Sequence, residues 1–372
     1  MDLQAFRALL SDEGQSLLAA LGDAGPGGEP ESAAAAALRQ SSPALVAAAE
    51  EQVRLRGQAA VKFGEFAPRM YFTPDLVELS SHLAVAEYKL DRVREMGVVL
   101  VEPMFLGSGA DALVLSREYY TLAVDPDPLT TAMAVANEQA LNGRTEPALF
   151  ADCEDVAAFG GRGEADFIDL MRPPGPDGGH DPESCGPPLS WALEQVRSTG
   201  LGWIRLPPGP APGAVPDLGR ADEAEWISYD GEVQELVLWF GLGPRGKPAD
   251  ITGRRATLLP AGASLTARGL PGPSVRPAGR YLYVPDPAVV HAGLLAEVAE
   301  DIAGGPVDGA GTLLASDELR HTPFATAYEV IDVPTHAPEP EGSVEFVVSA
   351  ADGPKVLIAV PVPVPARLPQ AS

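Results

Sequence analysis

The sequence predicts an α/β protein with an all-α amino-terminal region, a mostly parallel central sheet and a small α+β appendage. Three observations carry this expectation. Apolar residues recur at helical spacing through about residue 95. From Val98, short apolar runs alternate with helical segments or long connections. Beyond residue 267, runs of strand type surround one helical stretch. The expected division is therefore a helical part at 1–95, an α/β part at 96–266 and an α+β part at 267–372.

In the helical part, "LQAFRALL", "AAAAALRQ" and "ALVAAAEEQVRLRGQAAV" keep the helical period, broken by "GDAGPGGEPE". "PDLVELSSHLAVAEYKLDRVREM" continues it. Strands are expected at "VVLV", "YYTLAV", "PALFAD", "ADFIDL" and "GWIRLPPG". Two closely spaced runs, "VQELVLWFG" and "ATLLPAG", would close the sheet as an antiparallel pair. "RPPGPDGGHDPESCGPP" is too rich in proline and glycine for regular structure and reads as a long loop after the fourth strand. In the last part, "GRYLYVPDPAVVHAGLLAEVAEDI" predicts a strand and a helix. "ATAYEVIDV", "SVEFVVSA" and "KVLIAVPVPVP" predict further strands, with "APEPEG" as a linker.

The 372 residues suffice for two or three domains, and a 45% hydrophobic fraction with 21% charged residues is that of a folded soluble chain. The formal charge of −26 repels polyanions at long range. The modest basic clusters, Arg54/Arg56, Arg254/Arg255 and Arg276/Arg280, read as ordinary surface residues. No run reaches the length of a membrane span, and the amino terminus has no signal-peptide pattern, so the expected home is the cytoplasm with Cys153 and Cys185 reduced. His82, His180, His291, His321 and His336 show no ligand spacing, and no metal site is expected.

The informative stretch is "LGSGADALVLSREYYTLAVDPDPLTTA", Leu106 to Ala132. Gly107 and Gly109 would occupy the turn from the first strand to the first helix, where a bare backbone admits a ligand. Asp125 ends the next strand, at the usual reach for a carboxylate that accepts from ribose hydroxyls. "GSGADA" alone satisfies a dinucleotide fingerprint. Asp152, ending a third strand beside the same cleft, favours S-adenosylmethionine over a nicotinamide dinucleotide. An acid there can accept the exocyclic amine of adenine, and two carboxylates suit a cofactor without phosphates.

The chain resembles the actinobacterial family of class I S-adenosylmethionine-dependent methyltransferases with a C-terminal THUMP-like domain. The resemblance rests on "AAVKFGEFAPRMYFT" (59–73), "GSGADALVL" (107–115), "AVDPDPLTTAMAVAN" (123–137), "FADCEDV" (150–156), "GPPLSWALEQ" (186–195), "EWISYDGEVQELVLW" (225–239), "GRYLYVPDPAVVHAGLL" (279–295) and "SDELRHTPFATAYEV" (316–330), in order. It implies a Rossmann-like seven-stranded sheet in the order 3-2-1-4-5-7-6. It further implies that Gly107, Gly109 and Asp111 form the cofactor loop, that Asp125 is the ribose acid and that Asp152 lies on the adenine side. The implied acceptor is a nucleobase amine of the kind found in RNA.

Three segments depart from that pattern. "PMFLG" (103–107) stands where the family has "DLCCG"; Pro103 replaces an acid that helps hold the amino-acid end of the cofactor, with Glu102 as the candidate substitute. "DLMRPPG" stands for "DPARR", keeping Asp169 and Arg172 but placing Leu170 at the proline. Asp169 is the candidate contact of the acceptor amine and Arg172 its substrate or structural partner. A shorter, acidic segment (333–355) replaces a basic "KKRG"-like one, leaving little to hold RNA phosphates. Pro187, Pro188 and Trp191 are candidates for an acceptor pocket in which a base stacks. Lys62 and Phe63 are candidates for closing over the cofactor. Changes in both loops also fit a descendant that keeps the scaffold as a binding module, and "GSGADA" alone fits a nicotinamide-dependent oxidoreductase.

Overall fold

Three amino-terminal helices begin on side-chain caps that satisfy their first amides: Asp2 before α1 (Leu3–Leu9), Ser42 before α3 (Pro43–Phe63) and Thr73 before α4 (Pro74–Leu79). Proline follows the cap in α3 and α4, where its missing N–H costs nothing. Helix α2 (Asp12–Ala24), within the expected helical part though not among its quoted runs, follows α1 after a two-residue break. The helical stretch expected from residue 74 forms two helices, α4 and α5 (Leu83–Arg94), with Ser80 leaving helical geometry between them. The computed structural model describes residues 1–24, 41–106, 109–143, 146–156, 163–171, 183, 187–209, 221–242, 253–307, 312–331, 341–350 and 353–363. The expected helix "AAAAALRQ" and nearly all of the long loop at 172–188 lie outside them.

The chain divides into two units, Met1–Pro207 with Trp239–Gly246, and Pro208–Leu238 with Lys247–Ser372. In the first, β1 (Leu100–Met104), β2 (Tyr120–Val124), β3 (Leu149–Asp152), β4 (Ala165–Asp169) and β5 (Gly202–Leu206) pair in parallel, in the order β3-β2-β1-β4-β5. Helices α6 (Ala110–Leu115), α7 (Pro128–Asn142) and α8 (Leu189–Thr199) connect them. Phe167 stacks on Trp203 at 5.1 Å, Trp203 meets Trp239 at 5.7 Å, and the Arg92 guanidinium covers Trp239. Side-chain amides tie the helical region together and join it to the α/β part of the same unit. Gln52 exchanges two hydrogen bonds with the Phe72 backbone, and Asn137 does the same with Tyr71.

The second unit contains β6 (Glu223–Tyr229), most of β7 (Glu232–Phe240), β8 (Gly253–Leu259) and β9 (Ala263–Thr266). It also holds a six-stranded antiparallel sheet and two short helices, α9 (Pro287–His291) and α10 (Leu295–Asp301). That sheet has a small core around Leu282, Val307, Ala315 and Val348. Beyond residue 267 the chain thus contains both helices and strands.

Two sheet expectations are corrected. The larger sheet has nine strands rather than seven, ordered β3-β2-β1-β4-β5-β7-β6-β8-β9; the first seven follow the expected sequence and β8 and β9 extend it. The expected antiparallel pair of "VQELVLWFG" with "ATLLPAG" does not form, because β6 intervenes and pairs in parallel with β8. Strand β6 escaped notice because buried Glu225 interrupts its apolar pattern; the Thr257 hydroxyl donates to that carboxylate.

Candidate active site

Parallel register sets the carboxyl ends of four strands level. Met104 lies opposite both Val124 and Ile168, and Val124 lies opposite Asp152. The residues that follow therefore emerge along one edge, where open α/β sheets bind ligands. Asp125 leaves β2 there, its amide donating to the Asp152 carbonyl at 3.1 Å. Its carboxylate is largely buried and accepts from the Asp127 amide at 2.8 Å, which fixes its direction. Asp152 ends β3 half-buried in the neighbouring position. The structure thus brings together the two acids expected to hold adenosine.

Gly109 precedes α6 in the left-handed conformation, φ +73°, which a side chain would strain. A Cβ there would meet only Leu113 Cδ1, at 3.9 Å, so backbone conformation, not crowding, demands glycine. Gly107 lies outside the described residues. Phe105, between β1 and this turn, also has positive φ, +58°, a conformation costing a bulky residue on the order of 1–2 kcal/mol. Its ring meets that of Trp191 edge-on at 6.2 Å. Trp191 lies in the first turn of α8, after Pro187 and the capping residue Pro188, and all three are half-buried.

Three predicted acids are engaged elsewhere. Asp111, in the first turn of α6, is 3% exposed; Lys89 Nζ lies 2.6 Å from one carboxylate oxygen and the Ser81 hydroxyl donates to the other at 3.0 Å. These contacts anchor the helix to α5 and to the segment before it. Glu102 is fully buried in mid-strand and accepts from the Gly163 amide, on the segment entering β4. In a parallel pair that is the edge opposite the glycine turn, so the structure does not bring Glu102 to the cofactor side. Asp169 ends β4 at 1% exposure, its carboxylate paired with Arg205 Nη1 at 3.0 Å and accepting from the Met171 amide at 2.9 Å. Arg172 lies outside the described residues.

Lys62 and Phe63 have structural partners. Lys62 Nζ donates to the Glu78 and Ser80 carbonyls at 2.6 and 2.7 Å, meeting the carbonyl end of α4, where cations are favoured. Phe63 is buried against Phe72, ring centroids 5.3 Å apart.

Sequence reasoning missed Phe105, Ser81, Lys89 and Arg205. Arg205 left a trace, a lone arginine inside the apolar run "GWIRL"; Lys89 sat likewise among the apolar positions of α5. The expected basic clusters are engaged as ordinary residues. Arg255 pairs with Glu223, Arg276 with Asp317 and Arg280 with Glu329, while Arg56 donates to the Met70 carbonyl and Arg254 to the Ala292 carbonyl. Among the described residues, no group of three or more His, Cys, Asp or Glu could hold a metal, and no helix is long and apolar enough to cross a membrane.

Residues 2–59 match a sequence family described as "Domain of unknown function (DUF8688)". Two curated relatives, from Mycobacterium tuberculosis strains CDC 1551 / Oshkosh and ATCC 25618 / H37Rv, are each 29% identical over 291 residues, 76% of this chain and 76% of the relative. Each is described as an uncharacterized S-adenosylmethionine-dependent methyltransferase. The crystal structure of a putative methyltransferase from Porphyromonas gingivalis W83 aligns with a TM-score of 0.69 at 16% identity, covering 96% of this chain and 98% of that one. The fold is therefore shared along nearly the whole chain.

Proposed function

We propose that the chain is an S-adenosylmethionine-dependent methyltransferase whose acceptor is an amine on a planar base. One observation carries this reading: Asp125 and Asp152 end adjacent parallel strands beside the left-handed Gly109. The likeness to the two mycobacterial relatives supports it.

The donor set fits an adenosine cofactor without phosphates. Asp125, already oriented by the Asp127 amide, accepts from the ribose hydroxyls, and Asp152 accepts from the exocyclic amine of adenine. Gly109 leaves the turn backbone open to approach, and Gly107 is assigned beside it from the sequence alone. When bound, the cofactor supplies a methyl group on a positively charged sulfur, open to displacement by a nitrogen lone pair.

On the acceptor side the base stacks against Phe105 and Trp191, with Pro187 and Pro188 flanking. Asp169, paired with Arg205, stands where the acceptor loop begins. Arg172 follows in that loop as a substrate partner. No general base is required, because the amine attacks through its own lone pair and sheds its proton afterwards. Positioning within attack distance then supplies much of the acceleration. The part at 267–372 is read as THUMP-like. With the basic clusters engaged and the charge at −26, the base is carried on a small molecule rather than on a long RNA.

Calorimetry with S-adenosylmethionine, S-adenosylhomocysteine and NAD tests the cofactor. Binding of the first two is expected; binding of NAD alone defeats the proposal. A second reading, a binding module that has lost transfer, is favoured by the orientation of Glu102 away from the turn. It predicts no binding of any of the three. Labelled methyl donor incubated with cell RNA and with small-molecule extracts then identifies the acceptor class.

A further inference from the structure

The link Ser80–His82, with the end of α4 that precedes it, is gripped from three directions. Lys62 of α3 donates to the Glu78 and Ser80 carbonyls. Arg205 of β5 donates through Nη2 to the Leu79 carbonyl at 2.9 Å while its Nη1 holds Asp169. Ser81 donates to Asp111 at 3.0 Å and accepts from Lys89 Nζ, also at 3.0 Å. Arg205, Asp169, Lys89, Asp111 and Ser81 are each at most 3% exposed.

Buried ion pairs are a poor source of stability: an apolar pair of the same shape commonly serves as well, because desolvation offsets the attraction. They are, however, directional, and a guanidinium fixes two partners in one plane. Two such pairs converge on one short link. One reaches the end of β4, where the acceptor loop starts; the other reaches the first turn of the helix that follows the glycine turn.

We propose that this link is a positioning strap, through which Arg205 and Lys89 act as positioning residues for the acceptor loop at Asp169 and for the cofactor turn at Gly109. The inference rests on the methyl-transfer reading for what the strap serves, but not for its mechanical coupling. The helical amino-terminal region then supplies one common reference for both sides of the site, and loosening the strap disturbs both together.

The test uses the full chain. In Lys89→Met/Asp111→Leu, both charges of one pair are removed, so the melting temperature stays within a few degrees of the parent while S-adenosylhomocysteine binding weakens roughly tenfold by calorimetry. Arg205→Met/Asp169→Leu gives the same separation. Affinity that simply tracks melting temperature in both variants overturns the proposal, since a purely structural pair behaves so. Ser81→Ala is the milder variant. Hydrogen exchange is expected to accelerate at the amides of 109–113 and of 169–171 together, and acceleration confined to 79–83 also overturns it. A parent chain that binds no S-adenosylhomocysteine defeats the methyl-transfer reading, while the exchange arm still decides the strap.

Discussion

Asp125 and Asp166 are both buried carboxyls near strand ends, yet their surroundings set opposite expectations. Asp125 has a backbone amide aimed at it and follows β2 at the carboxyl edge of the sheet, where the cofactor is proposed to bind. Asp125→Ala should abolish S-adenosylhomocysteine binding by calorimetry while costing only about 1 kcal/mol in urea unfolding, the value of one such bond. Asp166 lies opposite Glu102 in the interior of the sheet, and burial pushes its carboxyl up to about 6, with the Thr199 hydroxyl opposing and Glu102 adding. Between the ordinary value of an aspartate and about 6, the folded chain keeps a proton that the unfolded chain has released. Stability contributed by this group is therefore lost as pH rises through that window, by at most about 3 kcal/mol. Asp166→Asn should flatten the slope and gain stability at neutral pH relative to the parent; unfolding at about pH 4.5 and about pH 7 checks it, and an unchanged slope would count against the assignment.

Strands β4 and β5 carry both the proposed acceptor loop and the aromatic stack, so their junction should tolerate little. A Cβ on Gly202 would lie 2.1 Å from the Asp166 carbonyl oxygen, at a φ of +149°. Neither backbone can yield without breaking the ladder, so Gly202→Ala should cost about 3 kcal/mol or more in denaturant unfolding. Trp203 is sandwiched between Phe167 and Trp239, and Trp203→Ala should cost about 3–5 kcal/mol by the same measurement. The strands themselves were legible because the sheet is buried on both faces and "ADFID" and "GWIRL" read as apolar runs. Strand β6 was not, since its glutamates acquire partners only after folding: Glu223 from Arg255, Glu225 from Thr257.

A charge of −26 acts on the molecule as a whole. It repels a polyanion and, through self-repulsion, works against compaction. Raising salt from roughly 20 to 300 mM should therefore raise the melting temperature, as screening shortens the reach of that repulsion. Gel shift with transfer RNA at roughly 150 mM salt should give no stable complex; a tight one would overturn the small-molecule acceptor. Patches of positive charge visible as Arg254/Arg255 or Arg276/Arg280 offer no counterweight, because each arginine is engaged with a carboxylate or with backbone carbonyls.

Local chemistry written in the chain was enough to locate the first five parallel strands, the glycine turn and the two acids that close β2 and β3, because strand ends, turns and alternation are governed by near neighbours in sequence. Which carboxylates are tied into the scaffold was a different matter. Asp111, Glu102 and Asp169 looked equivalent to Asp125 along the chain, and only folding gave them Lys89, the Gly163 amide and Arg205. Partners brought from 22, 61 and 36 positions away leave no periodic signature. A buried charge must find its complement through space, and that pairing decided which acids hold the scaffold.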